Sequence, residues 1–177
     1  MFPSVPPLTF HPVKKAKNNY AFIDTQNLNL EIRKLGWRLD WRRFRRHLAE
    51  TYGVSKAYLF LGYLPEQQRM YDAFVSYGYE IVFKPVSYDR GGTPKGNVDA
   101  ELVLQAMIDY HDSRYDQAVV VTSDGDFACL VRYLRQEKKL RAVISAALPR
   151  TSIHLKRESR GLHDTLEGLR SKLEYKK

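Results

Sequence analysis

Two short stretches of this chain, Tyr20-Ala21-Phe22-Ile23 and Val119-Val120-Val121, are apolar without a break, and each is followed within three residues by an aspartate. A strand with one wet face alternates apolar and polar residues, so an unbroken run marks a strand covered on both faces. Segments with helical spacing lie between these runs. Alternating strands and helices predict an α/β fold whose mainly parallel sheet of five or six strands carries helices on both faces, joined by right-handed crossovers. Ligand sites in such sheets lie beyond the carboxyl ends of the strands. Asp24 and Asp124 fall on that rim.

The remaining elements follow from periodicity and its punctuation. Leu39 to Tyr52 reads as a helix, with Asp40 as its cap, Trp41, Phe44 and Leu48 on one face and Gly53 after its end. Further strands are expected at 56–63, 80–84, 117–122 and 140–145, and further helices at 66–77, 98–111 (capped by Asn97) and 126–137. The linker Pro85 to Gly96, with Gly91, Gly92 and Pro94, is long enough to reach over a site. Residues 1–18 hold four of the eight prolines and read as an extended lead-in, with the domain proper over 19–148. The tail, 149–177, carries eight basic and four acidic residues, and Leu162, Leu166, Leu169 and Leu173 recur at helical spacing. It reads as a basic helical extension.

At 177 residues the chain suffices for one domain with its own core. No apolar stretch approaches the roughly 18 to 20 residues that span a bilayer, and the prolines near Met1 do not suit a signal peptide. The lone Cys129 forms neither an internal disulfide nor a cysteine zinc site, and within its apolar run it reads as a small buried thiol. These features predict a soluble, cytoplasmic protein. The 29 Lys and Arg against 20 Asp and Glu give a formal net charge of +9. Seven basic residues against two acidic ones fall between Glu31 and Arg46. Such an excess suits a polyanion such as nucleic acid, although a basic isoelectric point also simply aids solubility.

The candidate chemistry rests on Asp24, Asp99, Asp124 and Asp126. Three of them have a competing structural role: Asp24 as a turn cap, Asp99 as an acid in the first turn of a helix, Asp126 as an N-cap. Asp124 two residues from Asp126 adds like-charge repulsion that capping does not require and a cation would relieve. Oxygen donors without histidine or cysteine favour Mg2+ or Mn2+ over zinc. The five histidines read as structural or surface residues. No G-x-G-x-x-G follows the first strand and no P-loop occurs, so no organic cofactor is expected. Ser123 lacks the G-x-S-x-G elbow of a serine hydrolase.

Three ordered blocks, FIDTQNLN at 22–29, KGNVDAELVLQAM at 95–107 and VVVTSDGDFACLV at 119–131, resemble the signature of the NYN domain family, a branch of the PIN-like nucleases. The resemblance implies a three-layer α/β/α, Rossmann-like sandwich. It also implies an acidic pocket of Asp24, Asp99, Asp124 and Asp126 for Mg2+ or Mn2+, with Asn27 beside it, and a ribonuclease activity found in many members. The helix-three block has Gln105 where an acid is frequent, and Ser123 where glycine precedes the third-block aspartate.

The expected function is therefore metal-dependent phosphodiester hydrolysis in single-stranded RNA. One ion between Asp24 and Asp124 would lower the pKa of a water, and a second, reached through Asp99 or Asp126, would steady the leaving oxygen. Asn27, Thr122, Ser123 and Lys95 are the candidate substrate-binding residues, together with Arg42, Arg43 and Arg46 from the basic helix face that also carries Arg45. Tyr88 could stack on a base. The alternatives are a catalytically weak RNA-binding module and a phosphorylation-receiver-like domain, the latter disfavoured because the last strand ends in Ile144-Ser145 without a lysine. Endo or exo mode, ion number and self-association into a homo-oligomer stay open.

Overall fold

In a computed structural model of the chain, the described residues are 17–84, 87–88, 94–95 and 98–176. The lead-in before residue 17, most of the 85–97 linker and Asn97 lie outside them. Eight strands and seven helices follow in chain order: β1 Asn19–Asp24, α1 Thr25–Lys34, α2 Trp41–Tyr52, β2 Val54–Gly62, α3 Gln68–Ser76, β3 Tyr79–Lys84, β4 Ser87–Tyr88, β5 Pro94–Lys95, α4 Asp99–His111, β6 Ala118–Val121, α5 Ala128–Gln136, β7 Leu140–Ser145, α6 Ile153–Ser159, β8 His163–Thr165 and α7 Arg170–Leu173. Six strands pair in the order β3-β2-β1-β6-β7-β8. All five pairings are parallel. β4 and β5 form a separate antiparallel ribbon.

The unbroken apolar runs do what their pattern demands. In β1, Ala21 and Ile23 enter one core with α1, α2 and α3, whereas Phe22 enters a second core with α4, α5 and α6. β1 lies between β2 and β6, with Phe22 beside Tyr58 on one side and Val120 on the other. The helices thus form two outer layers of an α/β/α sandwich. The chain winds outward from β1 to β3 on one side and then returns to β6, so the crossover direction changes between β1 and β6. A doubly wound sheet opens a crevice at such a switch point.

Local chemistry sets the helix ends. The Asp40 carboxylate accepts from the Arg43 N–H at 3.0 Å and starts α2, while Gly53, at φ 67°, closes it in a left-handed conformation that a side chain would strain. Phe44 and Leu48 are fully buried on its inner face. Truncating Phe44 to Ala would cost about 3–5 kcal/mol. α4 starts at Asp99 with Val98 in the cap position and no side-chain cap.

Three expectations are corrected. A helix not foreseen, α1, begins directly after Asp24. Cys129 is exposed, because the buried stripe of α5 and its preceding turn is Phe127, Leu130, Val131 and Leu134. The helical reading of 162–173 also fails in its first part, where Arg160 and Gly161 both take positive φ and His163–Thr165 pair with Val143–Ser145 as the sixth parallel strand. The leucines do not share one face: Leu166 and Leu173 pack into the core with α2, Leu169 is partly buried and Leu162 is exposed. After α7 the chain clasps the α1–α2 connection. The Asp40 N–H donates to the Leu173 carbonyl, the Tyr175 N–H donates to the Arg38 carbonyl, both at 2.8 Å, and Leu39 bridges Glu174.

Candidate metal centre

The switch point is built from three chain segments. Asp24 is the last residue of β1, 5% exposed, and its Oδ1 accepts from the Asn27 N–H at 3.2 Å, which makes it the N-cap of α1. Its Oδ2 faces the Thr122 hydroxyl, a donor at 3.4 Å. Thr122 Oγ1 in turn accepts from the Asp124 N–H at 3.1 Å. The Asn27 amide oxygen accepts from the Ser123 N–H at 3.0 Å and stitches α1 to the loop after β6. Both polar contacts across the crevice therefore fix the loop that presents Asp124. The Asp124 carboxylate caps the turn at 125–127, accepting from the Asp126 N–H at 3.0 Å. The capping role considered for Asp126 belongs to Asp124.

α4, packed beneath the second core, brings its first turn to the same place. Asp99, Asp124 and Asp126 each offer a carboxylate oxygen, and these oxygens all lie within 4.8 Å of one another. Asp24 is not one of the three, but Asp99 and Asp124 are its charged neighbours. Burial pushes the Asp24 carboxyl up to about 6, with Asp99 and Asp124 adding to the rise and the bonds from Asn27 and Thr122 opposing it. Ser123 Oγ is buried and has no hydrogen-bond partner among the described residues.

A hard divalent cation fits this set. The donors are oxygen only, three carboxylates converge, and a buried hydroxyl beside them is unsatisfied. Glu101 stays outside the cluster and pairs with Lys84 at 3.4 Å. Gln105 also turns away, its amide donating to Asp109 at 3.0 Å.

The arginines read as one helix face separate into different roles. Arg45 donates to the carbonyls of Gly78, Val54 and Ser55, sealing the far end of β2 and β3. Arg43 pairs with Asp40 at 3.4 Å and reaches the Glu174 carbonyl. Arg46 is exposed to solvent, and Arg42 lines a groove beside α1. Lys95 and Tyr88 lie on β5 and β4, and their side chains are outside the described residues.

A doubly wound parallel sheet that gathers acidic side chains at its switch point defines the class: this is a PIN-like, nuclease-like fold. Within that class, the NYN domain model matches residues 20–166, and the chain belongs to the NYN domain family. Low amplitude and bright protein LabA of Synechococcus elongatus is 30% identical over 146 residues, covering 78% of this chain and 76% of the relative. The crystal structure of a protein of unknown function from Vibrio parahaemolyticus matches with a TM-score of 0.67 at 26% identity, over 83% of this chain and 92% of that one. It has the same fold. Among the described residues no helix is long and apolar enough to cross a membrane.

Proposed function

We propose that this protein is a Mg2+- or Mn2+-dependent nuclease that hydrolyses phosphodiester bonds in single-stranded RNA. The observation that carries the reading is the convergence of Asp99, Asp124 and Asp126 within 4.8 Å, beside a buried Asp24, at the switch point of a PIN-like sheet. Carboxylates held this close repel one another, and a divalent ion is the partner that lets them stay ionised together. Asp24, Asp99, Asp124 and Asp126 are the residues that would hold it. When bound, such an ion supplies Lewis acidity toward a phosphoryl oxygen.

The chain's own residues do the rest. Asn27 and Thr122 set the height of the 122–124 loop and so the aim of Asp124. Ser123 offers a hydroxyl not spent on any of the described residues. Positive charge nearby, from Arg42 first and from Arg46, Arg43 and Lys95 less directly, draws the phosphate backbone without reading base identity.

The test is cleavage of a labelled single-stranded RNA with Mn2+, with EDTA, and with Asp124→Asn in place of the parent. Product that needs the metal and is lost in the variant supports the reading. Equal cutting by parent and variant sinks it. The position of Gln105 favours a second reading: the amide stands where an acid is frequent and is spent on Asp109, which would leave a weaker centre and an RNA-binding module. Tight, salt-sensitive RNA binding with no product after long incubation in Mn2+ would select that reading.

A further inference from the structure

We propose that the groove between α1, α2 and α3 is a track for an unpaired nucleic-acid segment, seating nucleotides on one side of the phosphate that reaches the acidic cluster. The placement of that phosphate rests on the nuclease reading, but binding in the groove does not. The groove has a volume of about 930 Å³ and opens at Thr25 and Gln26, the two residues after Asp24. It runs from the rim toward the α1–α2 connection.

Its charge is lopsided. Arg33, Arg38 and Arg42 line it, and none of the three has an ion-pair partner among the described residues. Arg33 and Arg38 also wall a second hollow of about 350 Å³, so their guanidinium groups border two depressions. The acid in the groove lining is Asp40, and it is already spent on the Arg43 backbone N–H and guanidinium. Arginines elsewhere are mixed: Arg114 lies against Asp109 and Asp112 and Arg135 against Glu158, whereas Arg46, Arg69, Arg132 and Arg160 have no ion pair among the described residues. What sets the groove apart is that three such cations line one concavity.

The walls between the cations are mixed, with Thr25, Gln26, Asn29 and Gln67 beside a substantial apolar and aromatic share. Trp41, Leu61, Met70 and Phe74 line the groove together with Tyr175, whose ring is half exposed and carries the Arg38 guanidinium 5.5 Å from its centroid. Cations spaced along apolar and aromatic surface match a single strand, whose phosphates need charge and whose exposed base faces need flat apolar partners. A duplex offers the charge but hides the faces in its own stack. An acidic peptide offers charge without flat faces.

The probe is a fluorescein-labelled single-stranded RNA of about 12 nucleotides, its anisotropy followed in EDTA so that nothing is cut. Arg42→Glu, and separately Arg33→Ala with Arg38→Ala, should each weaken binding about tenfold or more and flatten the salt dependence by roughly 0.7 per lost phosphate contact. Arg132→Glu makes the same charge change as Arg42→Glu, at an exposed site on α5 in the opposite helix layer, and should move the affinity by no more than about twofold. Should the paired substitution unfold the chain in a thermal melt, Arg42→Glu decides, since Arg42 is exposed and its side chain holds no ion pair among the described residues.

The proposal is overturned if Arg132→Glu weakens binding as much as Arg42→Glu, or if duplex RNA or a polyglutamate peptide displaces the strand as readily as unlabelled strand does. Groove-dependent binding by a parent that makes no product in Mn2+ would sink the nuclease reading and leave the track standing. Metal-dependent cutting with binding unmoved by the arginine changes would do the reverse.

Discussion

Asp109 and Asp24 are both aspartates buried against the same sheet, at opposite ends, and they have been given opposite neighbours. Asp109, in the last turns of α4 near the amino ends of the strands, is fully buried, and its Oδ1 takes the Arg114 guanidinium at 3.2 Å and the Gln105 amide at 3.0 Å. It holds Arg114 near the start of β1, where Asn18 binds the Arg114 carbonyl and Asn19 bridges the Tyr52 carbonyl and the Gln117 N–H. Burial first, then the Asp109 carboxylate, holds the neighbouring Tyr58 phenol above its ordinary value. Among the described residues the charged neighbours of Asp24 are Asp99 and Asp124, both negative. At one end an arginine balances the buried acid, and at the other the buried acid faces further acids. A buried acid among acids is a stronger pointer to function than burial alone.

The sharpest way to break this contrast is at the acidic end. Asp124→Asn should lower metal-dependent RNA cleavage by about a hundredfold or more, since loss of even a supporting partner of a metal site costs about 10- to 100-fold, while the thermal midpoint stays within a few degrees of the parent. Gel assays and a melt on the same preparation check both halves. At the other end, Asp109→Ala should cost about 2–4 kcal/mol of stability in a urea titration, from lost packing and a broken charge-assisted bond, with metal dependence unchanged. Comparable activity loss in both variants would erase the distinction between the ends.

A third test uses pH. The Asp24 carboxyl, raised from 3.8 to about 6, holds its proton more tightly in the folded than in the unfolded chain, so its contribution is most favourable below about pH 4 and is lost as pH rises to about 6. In EDTA at pH 7.5, Asp24→Asn should therefore be more stable than the parent, by at most about 3 kcal/mol, with the difference gone near pH 4. Mn2+ should stabilise the parent and close the gap, because ligand that binds only the folded state adds stability by mass action. A parent more stable than the variant in EDTA at pH 7.5 would contradict the crowding. Smaller still, Asn27→Ala should cost about 1 kcal/mol and about tenfold in cleavage, since it frees the Ser123 N–H and loosens the loop that aims Asp124.

Much of the scaffold was legible because its signals are local. Unbroken apolar runs located β1 and β6, and Asp40 with Gly53 marked both ends of α2. α1 was missed because TQNLNLEIRK buries only Thr25, Leu28 and Ile32, too little apolar periodicity to stand out beside a polar turn signal. β8 was hidden for a different reason: its three residues become a strand only because β7 offers a free edge, which no spacing of leucines reveals. The cluster was partly legible, since Asp124 and Asp126 share one loop. That Asp99 meets them depends on the crossover that carries α4 back over the sheet, a long-range fact, for which the family blocks stood in. The division of the arginine face was not legible at all. Arg42, Arg43, Arg45 and Arg46 look alike along α2, and only the position of Gly78, Asp40 and Glu174 in space tells them apart.

The clasp made by residues 173–175 ties the chain's last helix to the backbone of Arg38 and Asp40. If the groove carries a strand as proposed, its affinity would be coupled to an element more than a hundred residues away in sequence. A proteolytic nick between Gly161 and Arg170 would slacken one wall of the arginine groove while leaving all four carboxylates where they are, so that grip and cutting chemistry fail separately.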